Sequence, residues 1–254
     1  MATRKGASNR SDIPADVLRR LNAGTAESAT LAEILAIDFA QLMSRLAPEA
    51  ADEAARRLKA SDGITKRMTL AGRLLLETLG AGGYGRVAAH RSDTARGWAA
   101  FMLAEMPDLS LKERLARVRP LADDKHFGVR EWAWLALRPY IVEQPREAVR
   151  LLSPWVRESS INLRRFAVES TRPRGVWCAH IAELKSHPEI ASPLLEPLKS
   201  DASKYVQDSV SNWLNDASKS RPDWVMSTCD RWLKESDTKE TARICKRALR
   251  SVGE

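Results

Sequence analysis

A polar turn followed by the opening of an amphipathic helix recurs along this chain. Asp123-Asp124-Lys125-His126-Phe127-Gly128-Val129-Arg130-Glu131-Trp132-Ala133 is one copy, and Ser159-Ser160-Ile161-Asn162-Leu163-Arg164-Arg165-Phe166-Ala167 is another. Ser200-Asp201-Ala202-Ser203-Lys204-Tyr205-Val206-Gln207-Asp208-Ser209-Val210 is a third. Looser copies stand at Ser92–Ala99 and Asp237–Arg243. The matched positions Ala95, Val129 and Leu163 lie 34 and 34 residues apart, and the steps to Val206 and Ala242 are 43 and 36. A period in this range with one capped helix per copy means stacked helix pairs, each repeat burying its apolar face on the next.

That pattern predicts an all-α, HEAT-like helical repeat solenoid, an α-α superhelix with one long concave face. Composition agrees: Gly and Pro number only 12 each in 254 residues, and Ala, Leu, Arg and Glu favour helix. No run of alternating β-branched residues is long enough for a strand. The spacing predicts helices over 13–21, 31–46, 48–60 and 64–79. From Ser92 on it predicts 93–105, 110–119, 127–138, 145–153, 161–171, 177–185, 190–198, 204–218, 222–233 and 238–251. Prolines such as Pro107, Pro120, Pro139 and Pro173 are read as joints. Gly80–Gly85, the one glycine cluster, reads as a loop and lacks the dinucleotide fingerprint. Residues 1–12 read as a disordered basic tail and 13–254 as a single repeat domain. Trp98, Phe166 and Val210 are expected on buried faces.

The apolar stretches at Leu74–Leu76 and Ala99–Ala104 are too short to span a membrane, and the N-terminus has no apolar segment of a secretion signal. Cys178, Cys229 and Cys245 form no disulfide framework, which fits a cytoplasmic protein. The formal net charge is +8, which suits a polyanionic partner or, equally, solubility alone. The histidines, His90, His126, His180 and His187, include no set at familiar zinc spacing, so no metal and no cofactor is expected. No nucleophile elbow is present. Of the eight tryptophans, most should anchor helix contacts, and one or two could stack on a base or cation.

Arg157–Trp177 stands apart. One carboxylate, Glu169, sits among Arg157, Arg164, Arg165, Arg172 and Arg174. On a helix, Arg165 and Glu169 are four apart and Arg172 follows three later, so they project from neighbouring faces. A salt-bridged joint between helices accounts for such a group as readily as a site does. A second carboxylate, Asp216, closes Ser211-Asn212-Trp213-Leu214-Asn215-Asp216. An acid near a helix C-terminus opposes the macrodipole.

At these residues the sequence resembles the AlkC/AlkD-type DNA glycosylases, and more closely the AlkC branch. The resemblance rests on Arg-Arg-x-x-x-Glu-x-x-Arg-Pro-Arg over Arg164–Arg174 and on Val-x-x-Ser-Val-x-Asn-x-Leu-Asn-Asp over Val206–Asp216. It extends over about 120–220 of the sequence, and no C-terminal immunoglobulin-like domain is recognised. It implies excision of cationic N-alkylated bases, of the 3-methyladenine or 3-methylcytosine class, from double-stranded DNA by a monomer, without base flipping. It further implies that Glu169 and Asp216 are catalytic acids and that Glu131 is a third. By the same likeness Trp177 lies near the lesion, Arg165 and Arg172 clamp the backbone, and the surrounding Arg164 and Arg174 hold phosphates. Two other functions remain open: a non-catalytic DNA-structure binder of the same fold, and a HEAT scaffold for other proteins.

Overall fold

Ser92, Ser160 and Thr238 each open a helix by accepting the backbone N–H three residues on, from Ala95, Leu163 and Thr241. These hydroxyls satisfy donors that a helix start leaves unpaired. A computed structural model describes residues 4–252, and among them every regular element is helical. The chain divides into two compact units, Met1–Ala136 and Leu137–Glu254.

The first unit holds α1 (Ala15–Asn22), α2 (Leu31–Ala36), α3 (Phe39–Leu46), α4 (Ala51–Arg57), α5 (Ile64–Leu79), α6 (Tyr84–Ala88), α7 (Asp93–Glu105) and α8 (Leu111–Ala122). The residues of α9 (Phe127–Glu143) from Leu137 on belong to the second unit. There follow α10 (Pro145–Leu152), α11 (Ile161–Glu169), α12 (Ala182–Ser186), α13 (Ser192–Leu195), α14 (Lys204–Ser218), α15 (Pro222–Glu235) and α16 (Lys239–Ala248). No helix of the described residues is long and apolar enough to cross a membrane.

The period has a chemical basis. The residue after each matched position folds back on the turn that precedes its own helix. Arg96 Nη1 donates to the carbonyls of His90 and Arg91, both at 3.0 Å. Arg130 does the same to Asp124 and Lys125 at 2.7 and 3.0 Å. Arg164 repeats it on Glu158 and Ser159 at 2.9 Å each. Gln207 Nε2 keeps one such bond, to the Asp201 carbonyl at 2.7 Å. Arg96 also reaches Asp124, and Arg164 reaches Asp201, both at 2.7 Å. Each of these arginines therefore ties its own turn to the turn of a following copy.

Trp98, Phe166 and Val210 are buried. In the first unit Phe39 meets Trp98 edge-on, with centroids 5.0 Å apart. In the second, Trp155 packs on Phe166 at 5.3 Å.

Several local expectations need correction. The predicted helix 31–46 breaks at Ile37 and Asp38, because extended Asp38 turns its carboxylate on the Gln41 N–H and starts α3. Pro120 and Pro139 lie inside α8 and α9. Each removes a single backbone donor while the surrounding helix bonds hold. Gly80–Gly85 is a short 3-10 turn running into α6, where Tyr84 Oη donates to the Arg117 carbonyl at 2.8 Å.

Of the expected tail, Met1–Thr3 lie outside the described residues. Residues 4–12 are docked. Arg4 grips the buried Glu33 with two bonds of 2.7 and 2.6 Å, and the Ala7 N–H adds a third at 3.1 Å. A buried carboxylate needs such partners, so it holds the segment down.

Candidate functional site

The site in the second unit is built where α11 ends early. The helix was expected to reach 171 and the next to start at 177. Instead α11 stops at Glu169, and residues 170–181 are irregular up to α12. The Arg172 N–H closes one turn on the Glu169 carbonyl at 3.3 Å. That turn carries the Arg172 side chain onto both carboxylates. Its Nη1 donates to Glu169 Oε1 at 2.7 Å, and its Nε donates to Asp216 Oδ2 at 2.9 Å. Glu169 and Asp216 are 4% and 5% exposed, so the guanidinium joins two acids that water scarcely reaches.

The two acids have unlike surroundings. Burial by itself would push the Glu169 carboxyl up, but Arg165, Arg172 and a Ser209 hydroxyl bond of 2.5 Å outweigh it, and the net shift is down. Arg165 stands 3.7 Å from Glu169 Oε2, its guanidinium 4.4 Å above the Tyr205 ring. Asp216 is shifted up. Burial dominates there, and Arg172 and the more distant Lys219, at 3.9 Å, do not cancel it. Arg172 is itself held more firmly protonated: burial opposes its charge, and the two carboxylates override that. Neighbouring carboxyls pushed in opposite directions suit different chemical roles.

The irregular stretch is pinned from beneath by Arg138, 1% exposed on α9. Its guanidinium donates to the carbonyls of Ala179, Ser170 and Arg172 at 2.9, 2.8 and 2.6 Å. The buried Trp213 indole adds a bond to the Thr171 carbonyl at 3.0 Å. Between these anchors Val176 and Trp177 are 60% and 51% exposed, and Trp177 has φ of 62°. A bulky residue in the left-handed region is strained, and such strain gathers at functional positions. Burial raises the adjoining Cys178 thiol, which feels the charges of Arg138, Arg172, Glu169 and Asp216.

The structure thus unites Glu169, Asp216, Arg165 and Arg172. Arg172, a candidate DNA-backbone clamp, has its guanidinium turned on the two acids. Arg164 is held by Asp201 and by two carbonyls, in the joint that repeats along the chain. Arg174 donates to Ser220 Oγ at 2.8 Å. Glu131 belongs to the first unit, where its carboxylate accepts from Trp134 Nε1 at 2.7 Å. Arg138, Ser209 and Lys219 escaped the sequence reading. The one available signal for Arg138 was a cation directly after the apolar run Trp132–Leu137. Among the described residues no group of three His, Cys, Asp or Glu is placed to hold a metal ion.

The AlkC alkylpurine DNA glycosylase of Pseudomonas fluorescens, solved bound to DNA containing an abasic site analog, superposes with a TM-score of 0.63 at 25% identity. The match covers 86% of this chain and 62% of that one. AlkD2 from Streptococcus mutans matches at 0.58 and 24% identity over 85% of this chain and 95% of its own. The smu.31 protein of the same species matches at 0.58 and 23% identity over 84% and 99%. The chain shares the helical-repeat fold of these AlkC and AlkD-type structures. The scores, 0.63 against 0.58, separate its likeness to AlkC from its likeness to AlkD2 little. A Bacillus subtilis protein, YhaZ, described as uncharacterized, is 38% identical over 97 residues, 38% of this chain and 27% of its own length. The chain therefore spans less than two thirds of the AlkC chain, and its YhaZ match covers about a quarter of that relative. No protein-family model matches it.

Proposed function

We propose that this protein is a DNA alkylation-repair glycosylase of the AlkC branch. It hydrolyses the N-glycosidic bond of cationic N-alkylated bases, of the 3-methyladenine and 3-methylcytosine class, in double-stranded DNA without flipping the base. The observation that carries the reading is the pair Glu169 and Asp216, joined by Arg172 and driven to opposite pKa directions.

An alkylated ring nitrogen makes the base a cation and a good leaving group, so the leaving group needs little acid assistance. The C1′–N bond breaks, its electron pair neutralises the departing base, and positive charge develops on the sugar. In this mechanism ionised Asp216 faces that charge and takes a proton from the water that adds to C1′. A carboxylate with a raised pKa is the better proton acceptor of the pair. Glu169, held ionised, keeps Arg172 in place. Its anion also offsets the guanidinium, which would otherwise repel a cationic base. Trp177 supplies a ring face to the cation, worth roughly 0.5–2 kcal/mol. Surface Lys and Arg hold phosphates and supply salt-sensitive affinity, with little sequence preference; Arg165 is the candidate closest to the acids.

Single-turnover base release from methylated genomic DNA, read by mass spectrometry at several salt concentrations, tests this. Wild type should release 3-methyladenine or 3-methylcytosine, and Asp216→Asn should not. Tight, salt-sensitive binding with no release would replace the enzyme by a DNA-structure binder. Neither binding nor release would leave a protein scaffold.

A further inference from the structure

Four arginines of the described residues are buried, and three of them hold carboxylates or main-chain carbonyls. Arg96 holds Glu27 and Asp124, Arg114 holds the carbonyls of Leu103, Ala104 and Met106, and Arg138 holds three more carbonyls. The fourth, Arg67 on α5, is 8% exposed and has no side-chain hydrogen bond or ion pair among the described residues. Its one close partner is the face of Phe39, 4.7 Å from the guanidinium carbon. A ring face does not replace a hydrogen bond, and the sealed Nε–H of Arg67 has none. Nor can burial neutralise the group: it lowers the Arg67 pKa, yet an arginine stays charged at any physiological pH. An unpaired buried cation is expensive for a fold.

Arg67 lines a cavity of about 430 Å³ in the first unit. Two further cations, Arg10 and Lys59, stand on its wall, and the rest is mostly aliphatic, as at Leu35 and Ala55. The one carboxylate there, Asp38, is engaged elsewhere: it accepts the N–H of Gln41 at 3.0 Å and the Gln41 amide at 2.8 Å. Asp62, which also acts on Arg67 electrostatically, is paired with Lys66 at 2.9 Å.

We infer that the cavity walled by Arg10, Lys59 and Arg67 is an oxyanion site that takes a phosphate group, with the Arg67 fork as its inner ligand. A planar guanidinium matches two oxygens of a phosphate at once, and the two outer cations complete the charge balance. The phosphate can be that of a small free anion or a phosphodiester of DNA, and the two sources are separable by experiment.

Inorganic phosphate would be titrated at constant ionic strength into the full-length protein. Binding would be followed by calorimetry and by the NMR resonances of the arginine Nε–H groups. The expected result is saturable binding that shifts one sealed Nε–H signal, assigned to Arg67 by its loss in Arg67→Lys. Arg67→Met should weaken binding at least tenfold, and Lys59→Gln, on the cavity's outer wall, several-fold. No saturable binding by wild type overturns the site, as does undiminished binding by Arg67→Met. Should Arg67→Met not fold, undiminished binding by Lys59→Gln overturns it instead. An undamaged duplex forms the second arm. If it shifts the same signal and competes with phosphate, the phosphodiester is the source; if it does neither while phosphate binds, the source is a free anion.

Discussion

Arg138 donates through Nη2 to the carbonyl oxygen of Arg172 at 2.6 Å. Arg172 in turn joins Glu169 to Asp216, so a residue that touches neither acid sets where their bridge stands. The same guanidinium holds the carbonyls of Ser170 and Ala179 and so secures both ends of the irregular stretch. Replacing Arg138 by Lys keeps the charge but loses the fork. We expect a stability loss of about 2–3 kcal/mol from carbonyls left unpaired. Hydrogen exchange should rise specifically over 170–181, and single-turnover base release should fall more than DNA affinity does. Unchanged exchange in that stretch would remove Arg138 from a positioning role.

The opposite pKa directions of the acids separate stability from chemistry. The folded pKa of Glu169 is lowered, so its contribution is present above its unfolded pKa and is lost as pH falls through the folded one. Glu169→Gln should therefore cost about 3 kcal/mol at neutral pH, a loss that shrinks below about pH 4. Asp216 is raised, so the folded state keeps that proton longer than the unfolded chain does. Its effect runs the other way: stability falls as pH rises from the ordinary carboxylate range to the raised value. Asp216→Asn should leave stability at pH 7 unchanged or better by up to about 1 kcal/mol, while abolishing excision. Denaturant melts at pH 4 and pH 7 check both signs.

The rate should show the same asymmetry. Excision should decline on the acid side as Asp216 takes a proton, with its half-point above the usual carboxylate range. In Asp216→Asn the residual rate should be flat over that limb. An acid limb that survives in the variant would assign the titration to another group.

Trp177 should show a trade between strain and binding. Its φ of 62° is easy for glycine alone. Trp177→Gly should leave the fold as stable as wild type or up to about 1 kcal/mol more so. Base release should drop about tenfold from the missing ring face. Trp177→Ala loses the ring but retains the strain, so it should lose activity without the gain in thermal stability. Equal melting temperatures for the two variants would argue against strain.

Close helix packing in the first unit gives a test remote from the chemistry. A Cβ built on Gly72 of α5 would lie 2.5 Å from the Phe101 carbonyl carbon and 2.6 Å from the Met102 nitrogen, both main-chain atoms of α7. Main chain cannot rotate aside, so Gly72→Ala should cost about 2–3 kcal/mol. A thermal melt within a degree of wild type would show that α5 and α7 do not approach so closely.

What the sequence determined by itself is whatever short-range interactions decide. Ser92 and Ser160 cap helices three residues on, and Arg96, Arg130 and Arg164 bond carbonyls five and six residues back, so the period was legible without a structure. Helices 64–79, 93–105 and 204–218 follow from apolar spacing and end as expected. The grouping of Glu169 with Arg165 and Arg172 was legible too, being three and four residues apart. Its pairing with Asp216 entered through a family resemblance, since 47 residues separate the two acids. Tertiary structure decided the rest. Arg138 meets Arg172, and Arg67 meets the ring of Phe39 but no hydrogen-bond acceptor among the described residues, because of segments brought together from distant parts of the chain. The split between Glu169 and Asp216 depends on which groups desolvate each carboxylate, and Trp177 owes its backbone to anchors at both ends of its loop. Spacing along a chain specifies which residues can share a helix face; burial and long-range packing specify what their charges are worth there.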